Sequence, residues 1–295
     1  MFTRILVPLD GLQQSEATLP IVAYMAGKCH SNVTLLHIME RHPPTRAHGQ
    51  RHLENETDAM NYLESQATVM KHTGGKVFTR IIDETSDGVA DSLAAIARSG
   101  DGFDLIAMCR HGHYRLFDST KNCLARQVAS RVDIPMLVKC INPSEKDFRY
   151  RPLHLTLVVD ISGNNDHLLD MAKEIALKCG LRVSMIVLCP EIRAMGNLGS
   201  GFGFSLVLAV NSTNREIEYE AGSISHKYER EFRESGVQMV SNVVSYRSSD
   251  QVADLLRVMS TDLIVMSLPS LKQSTPLKTF DISRFSHLPS LMVPA

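Results

Sequence analysis

Apolar positions along the chain fall into short runs that alternate with stretches of helical spacing. Ile5-Leu6-Val7-Pro8-Leu9 is a strand-like run closed by Asp10, and Leu19, Val22, Ala23 and Ala26 then recur at the intervals of one helix face. Ser15 and Glu16 are start signals for that helix, and Pro20 is expected to bend or delay its first turn. A second run, Val33 to Ile38, precedes a polar loop. The spacing then predicts a long helix over about Leu53 to Lys71, a stop at Gly74-Gly75 and a strand from Lys76 to Asp83. A helix over Val89 to Arg98, a buried strand Asp104-Leu105-Ile106-Ala107-Met108, a helix marked by Leu124, Val128 and Val132, and a closing strand Ile134 to Val138 complete this half. Strands that alternate with helices predict a parallel, doubly wound sheet.

The same order of elements then returns. Leu155 to Asp160 repeats the first strand with its terminal acid, and Leu168, Ala172, Ile175, Ala176 and Cys179 repeat the amphipathic helix. Val183 to Leu188 answers Val33 to Ile38, Asp262-Leu263-Ile264-Val265-Met266 nearly copies Asp104 to Met108, and Leu288 to Val293 answers Ile134 to Val138. Five elements recurring in one order indicate an internal duplication. The 295 residues are also about twice the usual single-domain length. The expected organisation is therefore α/β, with two repeated Rossmann-like domains at 1–141 and 153–295. Each is expected to be a five-stranded, mostly parallel, doubly wound sheet with helices on both faces, and the polar, proline-bounded stretch 142–152 is the linker.

Composition narrows the function classes. Lys+Arg of 31 against Asp+Glu of 32 leaves a net charge of -1, so no whole-chain basic field favours nucleic acid or anionic lipid. No apolar run reaches the roughly 18 to 20 residues of a membrane helix, and Met1-Phe2-Thr3-Arg4 leads straight into a strand; the expected location is the cytoplasm. The six cysteines contain no C-x-x-C pair and read as buried free thiols. His42, His48 and His52 suit no zinc spacing and read as part of a solvated loop.

In an open parallel sheet, ligands bind beyond the carboxyl ends of the strands, where strand order reverses. The candidates there are Asp10 after strand one, Ile38 at the end of strand two, and Met108-Cys109-Arg110-His111-Gly112 after strand four. A nucleotide at such a place needs an apolar slot for its base, a polar group for its ribose, and backbone N–H groups turned toward its phosphates.

On these residues the first half resembles a universal stress protein domain, whose nucleotide-binding members carry G-x-x-G, nine residues, then G-S/T after strand four. The frame fits without gaps. Cys109 stands at the first Gly, Gly112 at the second, Asn122 at the third and Cys123 at the Ser/Thr, with Pro135 before the last strand. One glycine of three survives. The resemblance implies that Asp10 binds ribose hydroxyls, that Pro8, Leu9, Ile38 and Met108 line an adenine, and that the segment from Cys109 to Leu124 holds the phosphates. Asn122 can adopt the left-handed conformation of a glycine, whereas the Cys109 side chain obstructs a close approach and Cys123 replaces a hydroxyl with a weak S–H donor. Arg110 and His113 either add positive charge at the phosphates or, with His111, solvate a surface loop. In the second half Asp160 is kept, but Ser267 and Ser270 replace the early glycines, Leu268-Pro269 stiffens the loop, and the spacing to Pro289 is four residues short, so no phosphate binding is expected there. The glycine-rich run 196–203 lacks the Lys-Ser/Thr of a P-loop and reads as a mobile loop over the crevice or a partner-binding segment.

Three functions are open at this point. One is a regulator in which ATP or AMP, with Mg only as the companion of ATP, alters association with an unidentified partner protein. Another is a scaffold without ligand. In family dimers the final strands pair, so the resemblance points to 136–140 and 291–295 as contacts of an intramolecular pseudo-dimer or a homodimer. The third is an enzyme. Arg110-His111-Gly112-His113 resembles the H-x-G-H of nucleotidyl transferases, but Arg stands at the first His and the segment follows strand four instead of strand one. No G-x-S-x-G elbow is present, so no catalytic residue is assigned and slow ATP hydrolysis alone stays open. Cys109 and Cys123 straddle the proposed phosphate loop, which raises thiol-based sensing beside the reading as structural thiols.

Overall fold

The strand-like runs at the centre of the first half's sheet bury apolar side chains on both faces. Ile5, Leu6 and Val7, Val33, Leu35 and Leu36, and Leu105 and Ile106 all have no exposed surface. The computed structural model describes residues 1–41, 46–47, 50–51, 53, 55–70, 75–110, 123–140, 150–161, 165–190, 201–246, 249–267 and 288–294. These divide into two compact units, one holding 1–152 with 288–294 and the other 153–267.

The first unit runs β1 (Arg4–Pro8), a 3-10 turn (Ser15–Thr18), α1 (Leu19–Cys29) and β2 (Asn32–Met39). A pair of two-residue strands follows, β3 (Arg46–Ala47) and β4 (Gln50–Arg51), then α2 (Glu56–Met70) and β5 (Val77–Asp83). The unit continues with α3 (Val89–Arg98), β6 (Leu105–Arg110), α4 (Leu124–Ala129) and β7 (Met136–Cys140). Pro20 does delay its helix: the chain makes a 3-10 turn first, and α1 carries the proline in its opening turn, where a missing N–H leaves no bond unmade.

The strand order is β5-β2-β1-β6-β7, all parallel. From β1 the chain first steps outward through β2 to β5, then crosses back to β6 and steps the other way to β7. Right-handed crossovers place helices that step in opposite directions on opposite faces. In agreement, α3 packs against α4 while α2 packs on β2 and β5.

The second unit repeats the plan with β8 (His154–Asp160), α5 (Asp166–Cys179), β9 (Arg182–Pro190), α6 (Gly201–Glu234), β10 (Met239–Tyr246), α7 (Ser249–Val258) and β11 (Leu263–Ser267). Its described strands are ordered β10-β9-β8-β11 and are parallel. The glycine-rich run departs from a loop at its end: α6 begins at Gly201, so Gly201 and Gly203 are helix backbone, and 191–200 lie outside the described residues. Over 34 residues the later turns of α6 carry the nucleation cost that two glycines impose on its first turn. The last strand, β12 (Ser290–Val293), belongs to the first unit and pairs antiparallel with β7, Leu291 opposite Leu137 and Met292 opposite Met136. Among the described residues no helix is long and apolar enough to cross a membrane.

The repeated Asp-Leu-Ile run has a structural reason in both units. Asp104 Oδ2 accepts hydrogen bonds from Thr3 N at 2.6 Å and Thr3 Oγ1 at 2.7 Å, Oδ1 accepts from Arg4 N at 3.0 Å, and Asp104 N donates to Arg4 O at 3.0 Å. In the second unit Asp262 Oδ2 accepts from Leu153 N at 2.8 Å and His154 N at 3.0 Å, while Asp262 N donates to His154 O at 3.0 Å. Each carboxylate thus brackets the start of its unit's first strand to the start of the fourth with charge-assisted bonds.

The first helices also end alike. The C-cap residue of α1 is His30 with φ 55°, and that of α5 is Gly180 with φ 68°; each donates its N–H to the carbonyl four residues back. A left-handed residue costs a side-chain-bearing amino acid about 1 kcal/mol and glycine almost nothing. His30→Gly is therefore expected to raise stability by about 1 kcal/mol, and Gly180→Ala to lower it by at least about as much, both read from the midpoint of thermal or urea unfolding.

Candidate ligand crevice

At the carboxyl end of β1 the backbone is held by three short bonds before it turns. Leu9 N donates to Leu36 O at 2.8 Å, His37 Nδ1 bonds Leu9 O at 2.8 Å, and Asp10 Oδ1 accepts from Leu12 N at 2.9 Å. A carbonyl oxygen only accepts, so Nδ1 of this buried histidine carries the proton. Gly11 makes the turn at φ 85°, and a Cβ there would come within 2.6 Å of the Leu53 side chain; both facts call for glycine. Ser15 Oγ donates to Leu12 O at 2.8 Å and closes the loop into the 3-10 turn.

This loop, the end of β2, the start of α3, the end of β6 and the entry to α4 surround one cavity of about 240 Å³. Pro8, Leu9, Asp10, Ile38, Met108, Cys109, Arg110, Cys123 and Leu124 all line it; Gly112, His113 and Asn122, like His111, lie outside the described residues. Ser15, Leu36, His37, Glu40, Val89, Leu93 and Ala125 complete the described lining and were not among the site residues expected from the sequence. Val89 and Leu93, four apart on one helix face, carried a signal, but which way that face looks follows only from the crossover of α3.

The lining combines three chemistries: carboxylates Asp10 and Glu40 after β1 and β2, apolar Leu36, Ile38, Leu93 and Met108, and Arg110, 7% exposed, at the end of β6. The Cys109 thiol donates to Lys139 O at 3.2 Å. Cys123 takes the N-cap place of α4 with φ -76° and ψ 113°, without a side-chain capping bond.

Behind Asp10, Glu16 Oε1 accepts from Tyr62 Oη at 3.1 Å and from Gln66 Nε2 at 3.2 Å, so α2 grips the same loop that presents the aspartate. Burial pushes the Glu16 carboxyl above its ordinary range, the Tyr62 hydroxyl pulls it partly back, and the charge of Asp10 pushes it up again. Tyr62 itself is pushed far up, chiefly by burial and then by the Glu16 charge.

The strand ends of the second unit are different. Asp160 closes β8, and Asn165 Nδ2 donates to its carbonyl at 3.0 Å. Burial, then the charges of Glu218 and Asp160, push the Cys189 thiol up to about 11. Glu218, from α6, accepts from Ser245 Oγ at 3.2 Å. Leu268, Pro269 and Ser270 lie outside the described residues. Among the described residues no group of three or more His, Cys, Asp or Glu side chains is placed to hold a metal ion.

Residues 1–139 match the model of the universal stress protein family. No curated protein sequence matches the chain. Among solved structures, a universal stress protein from Archaeoglobus fulgidus DSM 4304 superposes with a TM-score of 0.67 at 12% identity, over 99% of this chain and 96% of that one. A putative universal stress protein from Pseudomonas aeruginosa UCBPP-PA14 gives 0.62 at 14% identity, over 99% and 93%. The cytoplasmic domain of a prokaryotic cation chloride cotransporter gives 0.52 at 11%, over 99% and 95%. Identities this low establish a common fold.

The Glu16 arrangement has a measurable consequence. A carboxyl whose folded pKa lies above its unfolded value contributes stability that is complete below the unfolded value and lost as pH rises through the folded one. Tyr62→Phe removes the bond that lowers the Glu16 pKa, so a carbon-13 NMR titration should show this carboxyl moving further up. The loss of stability with rising pH should extend correspondingly higher.

Proposed function

Over residues 1–139 the chain belongs to the universal stress protein family, and from that premise we propose that the crevice of its first unit binds an adenine nucleotide, ATP or AMP, as a regulatory ligand. The observation that carries this reading is the convergence of a carboxylate, an apolar slot and a guanidinium on one cavity of about 240 Å³. In this reading Asp10 accepts hydrogen bonds from the ribose hydroxyls. Pro8, Leu9, Ile38 and Met108 enclose the adenine, helped by Leu36 and Leu93, and Arg110 neutralises phosphate charge. Cys109, Cys123 and Leu124 border the phosphate end, which Gly112, His113 and Asn122 complete by the family resemblance. Mg accompanies ATP and is otherwise not needed.

Ligand occupancy would act in the cytoplasm by shifting the population of states that associate with a partner protein. Such a shift requires that the nucleotide bind those states with different affinity. A second reading, a scaffold without nucleotide whose final strands pair as in a pseudo-dimer, is favoured by the antiparallel β7–β12 ladder.

Isothermal titration with ATP, ADP and AMP separates the two. Hydrogen bonds to a charged group are worth about 1.5–3 kcal/mol, so Asp10→Ala is expected to weaken binding by about tenfold or more. Asp10→Asn keeps an acceptor for Leu12 N, and loss of affinity in that variant as well would separate ligand contact from loop collapse. Affinity unchanged in both variants would remove Asp10 from the site, and no binding by the native chain would leave the scaffold.

A further inference from the structure

Two thiols that are distant in sequence share the crevice wall. Cys109 comes from β6 and Cys123 from the entry to α4, a helix that packs on β6; both line the cavity and both are partly exposed. Of the other cysteines whose side chains are described, Cys179 and Cys189 are buried and Cys29, although partly exposed, is not part of the lining. The two crevice thiols are also unlike each other. Cys109 donates its S–H to Lys139 O, whereas Cys123 makes no side-chain capping bond to its helix. Arg110 lines the same cavity at the end of β6, while Asp10 and Glu40 follow the neighbouring strands β1 and β2. Cys109 and Arg110 are thus consecutive residues at the end of β6, and both line the cavity together with Cys123.

We propose that Cys123 is a thiol–disulfide exchange site for a small disulfide that bears carboxylates, with Cys109 as the resolving thiol. The Cys123 thiolate attacks one sulfur of the small disulfide. A bond forms between the two sulfurs as the small disulfide's own S–S bond breaks, and the departing thiolate takes a proton from water. The Cys109 thiolate then attacks the Cys123 sulfur and expels the second small thiol, which is protonated in turn. The two protein thiols are oxidised by two electrons to one disulfide, and the small disulfide is reduced to two thiols. Arg110 draws the carboxylates of the reagent toward Cys123, and either product occupies the crevice. The exchange needs no nucleotide and stands or falls apart from the proposed ligand.

The test is incubation of the reduced, native full chain with oxidised glutathione, followed by peptide mass spectrometry, with an unfolded sample as the reactivity control. Expected products are a glutathionyl adduct on Cys123 and a Cys109–Cys123 disulfide, both reversed by dithiothreitol. Cys123→Ser should abolish both, and Cys109→Ser should leave the Cys123 adduct to accumulate. Cystamine, a cationic disulfide, should modify Cys123 in the native chain several-fold more slowly than oxidised glutathione, since like charges near Arg110 oppose its approach. Crevice thiols left unmodified in the native chain while the unfolded sample reacts would overturn the proposal, as would modification confined to Cys29. Cystamine reacting at least as fast as oxidised glutathione would overturn the assignment to an anionic reagent.

Discussion

Everything about the crevice follows from the position of β1 between β2 and β6. The chain leaves β1 in one direction toward β2 and β5 and returns on the other side to β6 and β7. Loops that depart on opposite sides of the sheet cannot cover the carboxyl end they both leave, and the gap is filled by side chains of the strand ends. Hydrogen bonds then fix what the gap presents. The Leu9–Leu36 and His37–Leu9 bonds carry order one residue past β1, so Asp10 projects from a held backbone even though it lies in a loop.

The two units share scaffold chemistry and differ in site chemistry. An aspartate bracket ties the amino ends of strands one and four in both, and a left-handed residue ends the first helix in both. At the opposite edge the likeness stops. The first unit lines its crevice with Asp10, apolar side chains and a buried Arg110, while the second brings Asp160 and Glu218 near a buried Cys189. Helix α6, at 34 residues against 15 in α2, brings Glu218 to that edge. What the two units share holds the sheet together, and what differs lies at its carboxyl edge.

Much of this was legible along the chain, and the limits have physical causes. Val89 to Arg98 is read to the residue because glycine and an amphipathic face bound it, and the Asp-Leu-Ile runs stand out because both sheet burial and the bracket demand them. The strand-end positions were legible too, because parallel sheets leave only their carboxyl ends open. The pairing of β12 with β7 follows in the sequence only from the family resemblance, since a four-residue strand carries no mark of its partner. Glu40, Val89 and Leu93 reach the crevice through crossovers that local patterns do not encode. The first turn of α6 at Gly201 was hidden because the later turns of a 34-residue helix offset what its glycines cost locally.

The central claim is that an adenine base enters the apolar slot between the ends of β1, β2 and β6. Photo-crosslinking of the full chain with an 8-azido-adenine nucleotide, followed by peptide mapping, tests it most directly. The account predicts label on the peptides that carry Ile38 or Met108, lost when unmodified AMP or ATP is present in excess. Label confined to residues 153–267, or label that excess nucleotide does not displace, would contradict it.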